Sequence, residues 1–258
     1  MLLKDKVIVI SGVGPGMGRS LALIAAAEGA MVGLGSRSRD FLNGLVDEIE
    51  AAGGKAIARV TDVTDARQCS ALAEATQAAF GKIDGLINSA YLHGDWMPSD
   101  VADPADFAGV FDVTCTGALR MAQACLPALK ESKGAVVNIS TMSTVNPFPG
   151  EAAYAAAKGA MNALTRHMAM DFGRFGIRVN VTRMGWIGGA PVWAFIDGQV
   201  AAGRNRDEVI GEITARIPIG IIPPEEDCAK AVLFMVSDYS KVVSGASLDV
   251  NGGQYMAP

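Results

Sequence analysis

The sequence predicts an α/β fold: a doubly wound, parallel sheet of about seven strands with helices on both faces. Three observations predict it. The run Val7-Ile8-Val9-Ile10 is apolar without alternation, the pattern of a strand buried on both faces. Strand-like and helix-like stretches then alternate along all 258 residues with short joints. No low-complexity linker and no repeat of solenoid length interrupts them, so one domain is expected over 1–258. Right-handed crossovers place the ligand crevice of such a sheet beyond the C-terminal ends of its strands.

The first strand, 6–10, runs into Ser11-Gly12-Val13-Gly14-Pro15-Gly16-Met17-Gly18, and 19–28 continues with the helix formers RSLALIAAAE. Met31-Val32-Gly33-Leu34-Gly35 reads as the second strand, followed by a polar turn at 36–38. Phe41, Leu45, Val46 and Ile49 recur at helical spacing until Gly53-Gly54 ends that helix. A third strand covers 55–60, and Thr61 to Asp65 caps a helix over 66–80. The fourth strand is 83–88; after a loop with Tyr91, His93, Trp96 and Pro98, one long helical stretch is expected at 104–130. Strand 134–140, helix 151–172 and strand 177–182 follow. A Gly- and Pro-punctuated stretch, 185–224, breaks the rhythm where a lid over the crevice belongs. Helix 225–237 and strand 246–250 close the pattern.

Composition narrows the function classes. The chain is 50% hydrophobic, but this is Ala, Val, Ile and Leu spread evenly, with no run long enough to span a bilayer. A net charge of −5 with mixed signs argues against a nucleic-acid binder. Cys69, Cys115, Cys125 and Cys228 form no C-x-x-C pair and only His93 and His167 are present, so no metal site is expected. The opening residues MLLKDK lead straight into a strand without signal-peptide architecture. Reduced thiols in the cytoplasm are the expectation.

Two local patterns carry chemistry. A strand, a glycine turn and a helix N-terminus form an anion site, with outward N–H groups and a favourable dipole. Gly12 permits the turn, Gly16 lets a pyrophosphate approach the backbone, and Gly18 lets helix and strand pack; Gly14 and Met17 complete the candidate phosphate contacts. The second pattern is Tyr154-Ala-Ala-Ala-Lys158 at the start of a helix. Residues at i and i+4 share a face, and an ammonium roughly 5 Å from the phenol favours the phenolate by about 3 kcal/mol at an effective dielectric near 20. The expectation is a Tyr154 hydroxyl brought down from about 10 toward proton transfer near neutral pH.

The glycine turn, Asp62-Val63 after the third strand, Asn88-Ser89-Ala90 after the fourth, Tyr154-x-x-x-Lys158 and the closing Leu248-Asp249-Val250-Asn251-Gly252-Gly253 together resemble the short-chain dehydrogenase/reductase family, over nearly the whole chain. The resemblance implies a Rossmann-like domain and a nicotinamide cofactor. It implies Tyr154 as general acid/base and Lys158 as its partner and holder of the nicotinamide ribose. The family's catalytic serine falls on Thr141, with Ser140 and Ser143 nearby, and its helix asparagine, which holds a relay water, falls on Thr114. Asp62 with Val63 matches the adenine contact; Asn88, Ala90, Gly185 and Ile187 fall on the remaining cofactor positions. Tyr91 stands where the family has glycine, and Met184-Gly185 replaces proline-glycine.

After the second strand a carboxylate would indicate NAD. This chain has Ser36-Arg37 there, a hydroxyl and a planar guanidinium suited to a 2′-phosphate, so NADP is expected, with NAD the alternative. Tyr91, Met142, Phe148, Trp186 and Trp193 are the candidate substrate contacts, and lid aromatics suit an apolar cyclic or aromatic secondary alcohol or ketone. The same aromatics would also suit a subunit interface. A 3-oxoacyl thioester reductase is the alternative enzyme, and a dinucleotide-sensing protein without turnover the alternative of another class. An enoyl reductase fits less well, because the resemblance there has a wider Tyr–Lys spacing. The family's assembly through its two long central helices implies a homo-tetramer or dimer.

Overall fold

A computed structural model describes residues 1–256; the last two residues of the expected domain span lie outside the described residues. Seven strands form one sheet: β1 (Val7–Ser11), β2 (Met31–Ser36), β3 (Lys55–Val60), β4 (Gly85–Asn88), β5 (Ala135–Thr141), β6 (Arg178–Met184) and β7 (Ser247–Val250). Their order is β3-β2-β1-β4-β5-β6-β7 and every pairing is parallel, as expected. The chain winds outward from β1 in one direction and from β4 in the other. Ligand crevices of open α/β sheets lie at such a reversal, here between the ends of β1 and β4.

The strands are apolar throughout because each face meets helices. Ile8 and Ile10 pack with α1 (Met17–Ala27), α2 (Arg39–Ala51) and α9 (Glu225–Val236); Val9, one residue out of phase, packs on the other face. That second layer is α3 (Ala66–Phe80), α5 (Gly117–Ser132) and α6 (Ala152–Gly173), joined through Leu72, Met121, Leu129 and Met168. Each fully buried Ile, Leu or Val contributes about 1.5–3 kcal/mol. None of the helices is long and apolar enough to cross a membrane, among the described residues.

Two expected segments differ. The stretch 104–130 is not one helix: α4 (Pro104–Phe111) passes through a π-helical turn, Asp112–Thr116, into α5. The β-branched Val113, Thr114 and Thr116 weaken regular helix there, and the wider turn buries Thr114 completely. The stretch 185–224 holds two helices, α7 (Ala190–Ala201) and α8 (Arg206–Thr214), with a small core of Ile196, Val209, Ile213 and Ile217. Asn205 caps α8 by accepting from the Asp207 and Glu208 N–H groups.

Candidate active site

Gly12 begins the site because no other residue fits there. Its φ is +81°, and a Cβ would stand 2.2 Å from the Ala90 nitrogen, so the loops after β1 and β4 touch at this glycine. A Cβ on Gly18 would lie 2.8 Å from the Gly12 carbonyl oxygen, which is the helix-on-strand approach expected of it. Gly14 faces open space, and a Cβ on Gly16 would come no nearer than 3.6 Å to its closest neighbour, a Glu225 carboxylate oxygen. The N–H groups of Gly14, Met17 and Gly18 find no backbone acceptor among the described residues. Unpaired N–H groups at an open helix start suit a phosphate.

Across β2, Ser36 Oγ is buried without a hydrogen-bond partner. Arg37 is exposed beside it. The arginine ion pairs involve Arg19, Arg67, Arg120, Arg183, Arg204 and Arg206, leaving Arg37 unpaired among the described residues. Two hydrogen bonds from Thr64 hold the Asp62 carboxyl below its usual range, and the Arg37 charge adds to this. Val63 is buried against α3 and α5, and its carbonyl accepts from Arg120. An orphaned buried hydroxyl, a free guanidinium and a bare glycine turn fit a nicotinamide dinucleotide.

The Asn88 side chain is taken up by the fold. Its side chain is 3% exposed and fully committed: Oδ1 accepts from Ser11 Oγ, and Nδ2 donates to Asn138 Oδ1 and the Ala118 carbonyl. Asn138 passes the chain on to Thr165. The side chain therefore ties β1, β4, β5 and α5 together, and only its backbone is left for a ligand. Gly185 is pinned at the end of β6, with its N–H on the Val250 carbonyl and Asn251 where a side chain would go. Ile187 packs against the core at the root of α7.

Tyr154, Lys158 and Thr141 come together where β5 ends and α6 starts. Lys158 is 2% exposed, donates to the Ile139 carbonyl, and holds its Nζ 5.7 Å from the Tyr154 ring centre. Thr141, at the end of β5, faces the Tyr154 hydroxyl and shares a hydrogen bond with Ser143 Oγ. Thr114 Oγ1 accepts from the Leu92 N–H, so it braces the loop after β4. The titration behaviour reverses the expectation. Burial pushes the Tyr154 hydroxyl well above its ordinary value, Tyr91 and Glu151 push it further, and only Thr141 pulls it back. Burial also brings the Lys158 ammonium down to about 7, so it is not a full cation at neutral pH. The spacing was legible; the desolvation was not.

The crevice walls contain one residue that the sequence analysis placed only in the loop after the fourth strand. His93 stacks between Trp96 and Tyr154, with ring centres 4.1 and 4.3 Å away, and Tyr91 leans on Tyr154 at 5.8 Å. Burial lowers the His93 pKa, against a raising effect from Glu151. Met142 is buried beneath Gly185, and Phe148 lines a cleft of about 300 Å³ with Ser99, Pro147 and Glu151. Trp186 instead joins the small core of α7 and α8, 5.6 Å from Phe195, and the half-exposed Trp193 edges against Gly188. Ser143 and Glu151 were also underrated: Ser143 Oγ bonds both Thr141 Oγ1 and the Glu151 carboxylate. An acidic residue at the helix start, three before the tyrosine, was the available signal.

The family model described as enoyl-(acyl carrier protein) reductase matches residues 12–254. A 2-(S)-hydroxypropyl-CoM dehydrogenase of Xanthobacter autotrophicus is 34% identical over 97% of this chain and 97% of its own length. A trans-4-hydroxycyclohexanecarboxylate dehydrogenase of Sinomonas cyclohexanicum is 32% identical over 97% of this chain and 93% of its own. The crystal structure of an NAD+-bound xylitol dehydrogenase superposes with a TM-score of 0.89 at 28% identity, covering 98% of this chain and 100% of that one.

Proposed function

The chain belongs to the short-chain dehydrogenase/reductase family and is an oxidoreductase acting on CH–OH groups; from that premise we propose that Tyr154 is its acid/base and that its substrate is an apolar, cyclic or aromatic secondary alcohol or the matching ketone. A bound nicotinamide dinucleotide supplies the hydride chemistry. The chain's own residues do the rest. Tyr154 takes or returns the proton of the substrate hydroxyl. Thr141, beside Tyr154 at the end of β5, donates its hydroxyl proton to the substrate oxygen. Lys158, fixed on the Ile139 carbonyl, stands one helical turn along the same face and would hold the ribose of a bound dinucleotide. The observation that carries this reading is the meeting of Thr141, Tyr154 and Lys158 at one end of β5 and α6.

The aromatic wall of Tyr91, His93 and Trp96 over Tyr154 supports the ring-shaped apolar substrate. The one-turn spacing of Tyr154 and Lys158 supports alcohol and ketone chemistry over enoyl reduction. The unbonded Ser36 hydroxyl and the unpaired Arg37 support NADP over NAD. Phe111 on α4 and Met170 on α6 are exposed, which supports a homo-oligomer joined through these helices. The four cysteines are free and buried, consistent with a reducing cytoplasm.

The test follows reduced-nicotinamide absorbance with cyclohexanol, cyclohexanone, aryl ketones and an acetoacetyl thioester, using wild type and Tyr154→Phe. Turnover on the rings, lost by about 10²–10⁴-fold in the variant, is expected. Preference for the thioester overturns the substrate class, and an active Tyr154→Phe overturns the site.

A further inference from the structure

Three segments meet at the carboxylate of Glu225, the first residue of α9. Its Oε1 accepts from the buried Ser20 hydroxyl of α1 at 3.0 Å. Its Oε2 stands 2.6 Å from where a Cβ on Gly189 would lie, at the start of α7, and 3.6 Å from where one on Gly16 would lie, at the start of α1. Gly16 and Gly189 are the N-cap residues of those two helices, and neither helix start has a side-chain cap. The backbone closes the same junction, with the Gly188 N–H on the Pro223 carbonyl. The carboxylate is therefore fixed in place. Ser20 holds one oxygen, and the root of α7 stands against the other.

The helix α9 does not need this charge, because Glu226 and Asp227 already place negative groups in its first turn. Nor is the charge neutralised. Arg19 of α1 is committed to Glu48 and Lys230 of α9 to Asp227, and the half-buried Glu225 has no ion-pair partner among the described residues. An unpaired carboxylate thus shares the helix start whose free Met17 and Gly18 N–H groups suit a phosphate. Like charges facing one helix start repel, and partial burial weakens the screening by water. We propose that Glu225 sets the dinucleotide affinity: its fixed negative charge opposes the cofactor diphosphate at the glycine turn, so the cofactor is held loosely enough to leave after each turnover. It rests on the reading of the glycine turn as the diphosphate site. Release of a bound product often limits turnover, and a turn left unopposed would slow it. Glutamine at this position keeps the shape and the acceptor for Ser20 and removes only the charge.

The experiment titrates wild type, Glu225→Gln, Glu226→Gln and Gly14→Ala with NADPH and with NADH, following nicotinamide fluorescence, and times cofactor release by stopped flow. Glu225→Gln is expected to bind both dinucleotides about tenfold more tightly at low salt and to release them correspondingly slowly, with its melting temperature unchanged. The gain shrinks as salt rises toward about 1 M, where the Debye length is about 3 Å. Glu226→Gln makes the same change of net charge on an exposed residue of the same turn and is expected to bind as wild type does. A merely structural role of Glu225 would give no salt-dependent gain. Binding unchanged or weaker in Glu225→Gln, equal tightening in Glu226→Gln, or a gain indifferent to salt overturns the proposal, while weakened binding in Gly14→Ala keeps the turn as the diphosphate site. Wild-type binding in Gly14→Ala takes the diphosphate away from the turn and overturns both. Should Glu225→Gln fold poorly, Glu225→Ala carries the same test.

Discussion

Lys158 donates its Nζ proton to the carbonyl oxygen of Ile139, so the cation of the Tyr-x-x-x-Lys pair is held by the end of β5 and shut away from water. Burial brings its pKa from 10.5 to about 7. Between those values the folded protein binds fewer protons than the unfolded chain, so stability rises with pH through this window. The contribution is lost as pH falls through about 7. The slope approaches about 1.4 kcal/mol per pH unit where the difference is one full proton. Melting temperatures followed from neutral to alkaline pH are expected to climb more steeply in wild type than in Lys158→Met. Parallel curves would show that the ammonium remains hydrated.

Gly12 and Gly14 separate folding from ligand binding. Alanine at Gly12 must adopt a φ of +81° and push a Cβ to 2.2 Å from Ala90, so Gly12→Ala is expected to lose more than about 2 kcal/mol. Gly14 has nothing within 4 Å, and Gly14→Ala is expected to melt close to wild type. If a diphosphate passes over that open face, Gly14→Ala binds the dinucleotide on the order of tenfold more weakly, one or two lost contacts' worth. Calorimetry of folding and of cofactor binding on both variants checks the contrast.

Arg37 is unpaired in the fold, so its substitution tests ligand choice without disturbing an ion pair. Arg37→Ala is expected to lower kcat/KM for NADP by about tenfold to a hundredfold, corresponding to a charge-assisted bond of about 1.5–3 kcal/mol, and to leave NAD unchanged. A wild-type preference for NAD, indifferent to the substitution, would reverse the assignment.

Asn88 is expected to behave as a structural residue. Truncation in Asn88→Ala leaves Ser11 and Asn138 with lost partners in a buried site, at a cost of about 2–4 kcal/mol in denaturant unfolding. An unchanged unfolding midpoint with weakened dinucleotide binding would return its side chain to the cofactor site.

The parallel sheet, the glycine turn and the Tyr154–Lys158 pair could be read directly from the chain. Each is a local pattern: buried strands are apolar on every residue, Gly12 marks a backbone no side chain permits, and one helical turn brings i and i+4 together. Local patterns also mislead where distant segments decide. The helical spacing at 104–130 gave no sign of the π-helical turn that buries Thr114 under Leu92. The helices α7 and α8 were missed because Pro191, Gly198 and Gly203 mask a periodicity satisfied only by their own small core. His93 stacks on Tyr154, and Glu151 meets Ser143, through packing of loops that no spacing encodes. The direction of the Tyr154 shift belongs to the same class, since desolvation depends on everything that surrounds a group and not on its place in the chain. Residue order therefore supplied the candidates for proton transfer, and the packing around them decided how far each is shut away from water.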